Sequence, residues 1–405
     1  MRRTKIICTI GPSSSDRDTL KAMVEAGMDV ARLNFSHGEY ETHAKYIRLI
    51  EEVSAELGRP IAILQDLQGP KIRVGDMEDN VVLTPGQKTC ITTTPMVGTA
   101  EKFSSNYKNL SSDVRAGESI LINDGLIKIQ VDKVSRNEIY GTVIQGGILK
   151  SHKGINLAHF SISTPALTDK DIKDLEFGLS QNVDYVALSF VREDADIKEV
   201  RGAVKRKDKT TQVIAKIERH EAVKELEKIV DAADVIMVAR GDLGVELPLE
   251  NVPLVQKSII NSCSRHLKPV ITATQMLESM IQNPTPTRAE VSDIANAIFD
   301  GTDAIMLSGE TSVGAYPVEA VRTMARIAET IESSLTGSGQ YIEVIPEYNI
   351  GNSVAHAACQ LAQNIKAKAI ICFTEHGFTA RLISKYRPIP VAAASGSKNK
   401  FVLRA

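Results

Sequence analysis

A lysine and two carboxylates stand at matched positions in the stretch Gln212–Gly244. Two short apolar runs, Val213–Ala215 and Val235–Ala239, flank a charged helical pattern, and each ends in charge. Lys216 and Glu218 follow the first run; Arg240 and Asp242 follow the second. Two hard carboxylates suit Mg2+ or Mn2+. A lysine beside them suits a phosphoryl group or an enolate, where negative charge must be neutralised. Taken alone, the same residues would also serve as a surface salt-bridge cluster. Strand, helix, strand at this length reads as a right-handed βαβ unit with parallel strands. Such strands deliver their C-terminal ends to one rim, where α/β sites form.

Other runs carry polar residues to the same rim. Lys5–Ile10 is closed by Gly11-Pro12, and Ser13–Ser15 offers N-cap oxygens for a helix over Asp16–Ala26. Val30–Phe35 carries Arg32 and Asn34, then Ser36 and His37; Ile61–Leu64 ends at Gln65 and Asp66. Further on come Tyr185–Val191, Val213–Ile217, Val235–Ala239, Val270–Ala273 and Ala304–Leu307, each beside a helical pattern. With the first three, these eight runs predict a (β/α)8 TIM barrel, with an open doubly wound sheet as the alternative. The exits favour the barrel, because Arg32, Asn34, Asp66, Lys216, Glu218, Asp242 and Thr274 all fall there. From Ile72 to Ser163 helical periodicity gives way to short alternating runs, which predicts an inserted all-β domain placed to act as a lid. Val318–Ser334 reads as a closing helix and Gly337–Asn349 as a linker. A last unit has a helix over Gly351–Gln363, a strand over Ala369–Phe373, a helix over Phe378–Tyr386 and a strand over Pro390–Ala394. The expected division is therefore barrel over 1–71 and 164–336, lid over 72–163, and a small C-terminal α/β unit over 350–405.

Bulk properties narrow the function classes. The 405 residues, 43% hydrophobic and 24% charged, are those of an ordinary soluble globular chain. A net charge of -2 argues against a dominant nucleic-acid or membrane-surface role. The five scattered cysteines form no CxxC pair, which fits reduced thiols and a cytoplasmic location. No run approaches the ~18 apolar residues of a membrane span.

With these residues in view, the chain resembles pyruvate kinase from about Met1 to Pro388. The resemblance rests on ordered stretches: KIICTIGPSS, ARLNFSHG, QDLQGPKIR, NDGLI, KGINL, PALTDKD, AKIERHE, ARGDLGVE, ITATQMLESM, PTRAEVSDIANAIFDGTDAIMLSGET and ARLISKYRP. It implies the glycolytic transfer of phosphate between phosphoenolpyruvate and ADP, giving pyruvate and ATP. It also implies a barrel, a β lid, a C-terminal α/β domain and a homo-oligomer, usually a tetramer.

Carried over by position, Lys216 would stabilise the moving phosphoryl group and the enolate oxygen, and Arg32 would hold the transferring phosphate. Thr274 would sit beside the enolate carbon in the proton relay. Gly241 and Asp242 would offer backbone N–H groups to the substrate carboxylate. Glu218 and Asp242 would hold the divalent metal, Mg2+ or Mn2+. Asn34, Phe35, Ser36, His37, Arg73 and Lys153 would contact the nucleotide. Asn34, Ser36, Asp66 and Leu67 would form the monovalent-cation pocket.

Three places depart from the family pattern. Leu67 and Lys71 stand where threonine and glutamate are common, so Lys71 is expected to replace the monovalent cation and potassium is not required. Leu157-Ala158-His159 replaces the usual Leu-Pro-Gly turn. The C-terminal unit reads as a shortened one, and His376 and Phe378 in its loop speak against a sugar-phosphate effector site. Two other readings stand beside pyruvate kinase. One is a different phosphoenolpyruvate-using barrel, against which the all-β insert argues; the other is a non-catalytic remnant.

Overall fold

Short runs rich in Val, Ile and Ala become strands here because both of their faces are covered. Val235–Ala239 and Val270–Ala273 are buried at every position. The structure, a computed structural model, describes residues 2–157, 165–207, 210–338, 350–374, 377–387 and 391–394. Its barrel strands are Lys5–Thr9, Val30–Asn34, Ala62–Asp66, Tyr185–Leu188, Gln212–Ile217, Val235–Ala239, Val270–Ala273 and Ala304–Leu307, called here the first to the eighth. All pair in parallel, and the eighth closes on the first with Lys5 opposite Ala304. Closure excludes the open-sheet alternative.

Strand side chains alternate in direction. One set, including Ile7, Leu64, Ile214, Val235, Ile271 and Met306, fills the barrel interior, and a larger cluster packs between strands and helices. Parity then fixes the site. Lys216 lies two positions after Ile214, Asp66 two after Leu64, and Arg32 two after Val30, whose side chain packs on the inner cluster. All three therefore emerge into the C-terminal mouth.

Two local expectations are corrected. The helix Arg17–Ala26 is capped by Asp16, whose carboxylate accepts the Thr19 N–H, and not by Ser13–Ser15. Pro12–Ser14 is instead a 3-10 turn, for which proline's fixed φ is suited. The fourth strand stops at Leu188 and does not reach Val191, because Phe190 turns left-handed at φ 57. Gly69, at φ 68, packs against that turn; a Cβ there would lie 2.8 Å from the Phe190 ring.

Between the third and fourth barrel strands the chain makes the all-β excursion. A six-stranded sheet runs in the order Ile155–Leu157, Ser119–Ile122, Ile127–Ser135, Glu138–Gln145, Lys88–Thr92, Lys102–Ser104. It has its own core around Phe103, Ile120, Ile129 and Val131. The outgoing and returning chains pair at its neck: the Val74 N–H donates to the Lys153 carbonyl at 2.8 Å and the Ile155 N–H to the Ile72 carbonyl at 2.9 Å.

The helix Pro317–Ser338 runs further than expected, into the start of the anticipated linker. Residues 339–349 of that linker lie outside the described residues, as do Ala158, His159, Glu375, His376 and 395–405. The last unit has helices Ile350–Asn364 and Phe378–Ser384 and a parallel strand pair, Ile370–Phe373 with Val391–Ala394. Among the described residues, no helix is long and apolar enough to cross a membrane.

Candidate active site

Lys216 is the hub of the barrel mouth. Its side chain is only 11% exposed. The ammonium lies 2.7 Å from Glu218 Oε1 and 3.3 Å from Asp66 Oδ1, and donates to Ser189 Oγ at 2.7 Å. Burial alone would lower its pKa; the Asp66 and Glu218 charges outweigh burial and hold it above the ordinary lysine value. The amine therefore stays charged at neutral pH.

Asp66 bridges two cations. Arg32 Nε donates to Asp66 Oδ2 at 2.7 Å, and Arg32 Nη1 donates to Thr9 Oγ1 at 2.8 Å. Burial would raise the Asp66 pKa, but Lys216 and Arg32 pull it below the usual value. Its Oδ1 is buried and accepts no hydrogen bond of good geometry, leaving Lys216 as an ion-pair neighbour only. Such an oxygen has lone pairs to spare for a cation.

Glu218 Oε2 accepts the Phe190 N–H at 2.9 Å. Burial raises the Glu218 pKa, Lys216 draws it down, and Asp242 pushes it up again; the net shift is upward. Asp242 lies in the first turn of the helix Arg240–Glu246. The Asp242 charge thus makes Glu218 harder to ionise, and a pair of neighbouring carboxylates of this kind forms a donor set that a hard divalent cation relieves.

Thr274 adjoins that helix. The Gly241 N–H donates to Thr274 Oγ1 at 2.8 Å, and Thr274 Oγ1 donates to the Ala273 carbonyl at 2.6 Å. Thr274 and Gln275 are both left-handed, at φ 69 and 54, a costly conformation for a β-branched residue. Arg240 pins the turn by donating to the Thr274 carbonyl at 2.7 Å while bound to Asp293 at 2.8 Å. Of the two N–H groups expected to face a substrate carboxylate, Gly241's is thus occupied by a hydroxyl.

The nucleotide and cation candidates divide. Asn34 Oδ1 accepts the Ser36 N–H at 3.1 Å, forming the turn after the second strand. Phe35 is buried, its ring stacked on His43 at 4.0 Å, while its N–H donates to the Asp66 carbonyl at 3.0 Å and its carbonyl accepts Lys170 Nζ at 2.7 Å. His37 is exposed. Its pKa is lowered, first by partial shielding and then by Arg73, Lys71 and Arg32, which marks this corner as electropositive. Arg73 Nη1 donates to the His152 carbonyl at 3.0 Å, and Lys153 stands on the facing chain of the neck. The Leu67 carbonyl accepts the Ser189 hydroxyl at 2.7 Å. Lys71 does not reach Asp66: among the described residues it makes no ion pair, and its chain lies beside Gly154. Arg32 and Lys216 hold that carboxylate already, so Lys71 does not replace the monovalent cation by direct contact with Asp66.

Sequence reasoning gave no role to Ser189, to the Arg240 pin, or to the buried Arg219. Arg219 binds Glu221 at 3.1 Å and approaches Glu246 at 3.6 Å. His220, Glu221 and Glu246 lie close enough together to hold a metal, but Arg219 already supplies the positive charge there.

Fold and rim together define a (β/α)8 barrel whose mouth presents a charged lysine among carboxylates. The family model of the pyruvate kinase barrel domain matches residues 1–321, and that of the pyruvate kinase alpha/beta domain matches 352–402. The chain belongs to the pyruvate kinase family, the phosphotransferases of the final glycolytic step. The pyruvate kinase of Staphylococcus saprophyticus is 48% identical over 398 residues, 96% of this chain and 67% of that one. That of Geobacillus stearothermophilus is 48% identical over 408 residues, 98% and 69% of the two. The crystal structure of a pyruvate kinase from Cryptosporidium parvum matches with a TM-score of 0.90 at 40% identity, covering 98% of this chain and 83% of that one.

Proposed function

We propose that this chain moves the phosphoryl group of phosphoenolpyruvate to ADP with Lys216 as its central cation. The carrying observation is the ammonium held charged between Asp66, Glu218 and Ser189 at the barrel mouth. In the transfer an ADP oxygen bonds to phosphorus as the bond to the enolate oxygen breaks. Lys216 neutralises both the group in flight and the enolate left behind, charge that is larger in the transition state than in the substrate. Arg32, oriented by Asp66 and Thr9, holds the phosphate. Thr274 takes part in delivering the proton that converts enolate to pyruvate. The N–H groups of Gly241 and Asp242 receive the substrate carboxylate once the Thr274 hydroxyl gives way. Asn34, Phe35, Ser36, His37, Arg73 and Lys153 receive the nucleotide.

The family uses a divalent metal, and Glu218 and Asp242 would hold it here as Mg2+ or Mn2+. When bound it would supply further neutralisation of phosphate charge. Asn34, Ser36, Asp66 and the Leu67 carbonyl are the oxygens around the monovalent pocket. We propose that Lys71 substitutes for that cation by charge at a distance, without touching Asp66. A cytoplasmic location and a homo-oligomer complete the reading; all five cysteines are buried and unpaired, as reduced thiols should be.

The direct test gives purified protein phosphoenolpyruvate, ADP and Mg2+ and measures pyruvate; none from well-folded protein sinks the proposal. Initial rates in K+-free tetramethylammonium buffer, with and without KCl at matched ionic strength, test Lys71. The wild type should be indifferent to K+, and the double variant Leu67→Thr, Lys71→Glu should become K+-stimulated. Strong stimulation of the wild type defeats the Lys71 role.

A further inference from the structure

At the end of the barrel opposite the site, a cavity of about 330 Å3 opens between the strand starts and the helix Phe378–Ser384. Its floor is apolar and includes Val30, Leu64, Ile214 and Val235. The first three stand two positions before Arg32, Asp66 and Lys216, so the cavity floor is the side-chain layer directly beneath the charged network. Barrel interiors are ordinarily filled by such layers. A void of about 150 Å3 with apolar lining already accommodates a benzene ring, so this one has room for a larger body.

The walls are charged with one sign in excess. Both wall carboxylates are engaged: Asp300 with Lys257, and Asp303 with Arg387 at 2.8 Å. The cations are less well matched. Lys5 and Arg381 form no ion pair among the described residues. Lys268 donates to the backbone carbonyls of Asp231, at 3.1 Å, and Ala233, at 2.6 Å. Its pKa is lowered, by burial first, despite Asp234 and Asp231 nearby, with Arg201 and Arg381 adding to the fall. An apolar floor beneath surplus cations is complementary to a molecule with a greasy body and one negative group.

We propose that this cavity is a binding site for a small amphipathic anion, an alkyl or aryl body bearing one carboxylate. Alkyl and aryl acids share the chemistry that the cavity offers, and separate arms of the test distinguish them. The full chain is titrated calorimetrically with octanoate, with 1-naphthoate, and with octanol as the uncharged control. One equivalent of at least one acid should bind, and octanol should bind about tenfold or more weaker, since losing the charge contact is worth a factor of that order. Ala304→Leu, which fills the floor, should abolish binding of both acids. Arg381→Ala, an exposed position that leaves the core untouched, should weaken the acids and leave octanol unchanged. The proposal is overturned if neither acid binds, if octanol binds as tightly as the acids, or if the Arg381 variant binds them with wild-type affinity.

Discussion

Lys216 is surrounded by partners and neutralised by none completely. Its two carboxylate neighbours fix its position and keep it charged, while Ser189 aligns it. Lys216→Met should therefore abolish turnover, by at least ~10²–10³-fold, in line with removing one preorganised donor to a developing negative charge. Mn2+ binding, followed by spin resonance, should survive, because Glu218 and Asp242 remain. Near-normal turnover would remove Lys216 from the chemistry. Position along the chain made this residue legible. Lys216 and Asp66 each follow an apolar run and Arg32 interrupts one near its end, and a closed barrel gathers run ends at one mouth. Ser189 was illegible for the converse reason. It lies inside YVALSFV, which reads as uninterrupted strand with no charged residue to mark its exit, although its place two positions after the inward Ala187 is what brings it to the mouth. The charge of Lys71 could be read from sequence, but not its direction, which depends on the neck beside Gly154.

Strand and helix are tied together just outside that hub. Arg219 follows the proposed ligand Glu218, and Glu246 lies one helical turn beyond Asp242, so their buried approach at 3.6 Å joins the two ligand-bearing elements. The Glu246 pKa is pushed up to about 7, chiefly by burial, against an ordinary value of 4.5. Between those values the folded chain retains a proton that the unfolded chain has lost. The stability this supplies is complete below about pH 4.5 and is lost as pH rises through about 7. Glu246→Gln should flatten that part of the profile, measured as the urea midpoint from about pH 4.5 to about pH 8. Superimposable wild-type and variant profiles would refute the assignment. At this scale the sequence was legible where periodicity is strong, and eight strands were located from apolar runs alone. Ends were less so, because they depend on single competing groups: Asp16 outcompeted three serines as a cap. Likewise the Arg219 clamp needs the fold to bring residues of two separate elements together.

At the scale of the whole molecule, the C-terminal unit exposes large apolar side chains among its described residues. Ile350 and Phe373 are 85% and 84% exposed, and Ile365 and Ile371 are each well over half exposed. Among the described residues its sheet has two strands, whose edges are left open. Exposed apolar surface of this kind drives association. The purified chain should be partly aggregated, or assemble to less than a tetramer, in light scattering. A clean tetramer with a single high-temperature unfolding transition would contradict this. The neck of the β domain bears on something else, the order in which the molecule acquires its shape. Leu64 must find Tyr185 across about 120 residues of chain, an entropic handicap that grows with the logarithm of the interval. Once Arg73 has met Gly154, that interval contracts to about 40 residues, which lowers the handicap by about 1 kcal/mol. A β domain that forms early thus acts as a splint, delivering the third and fourth barrel strands to each other before the ring can close.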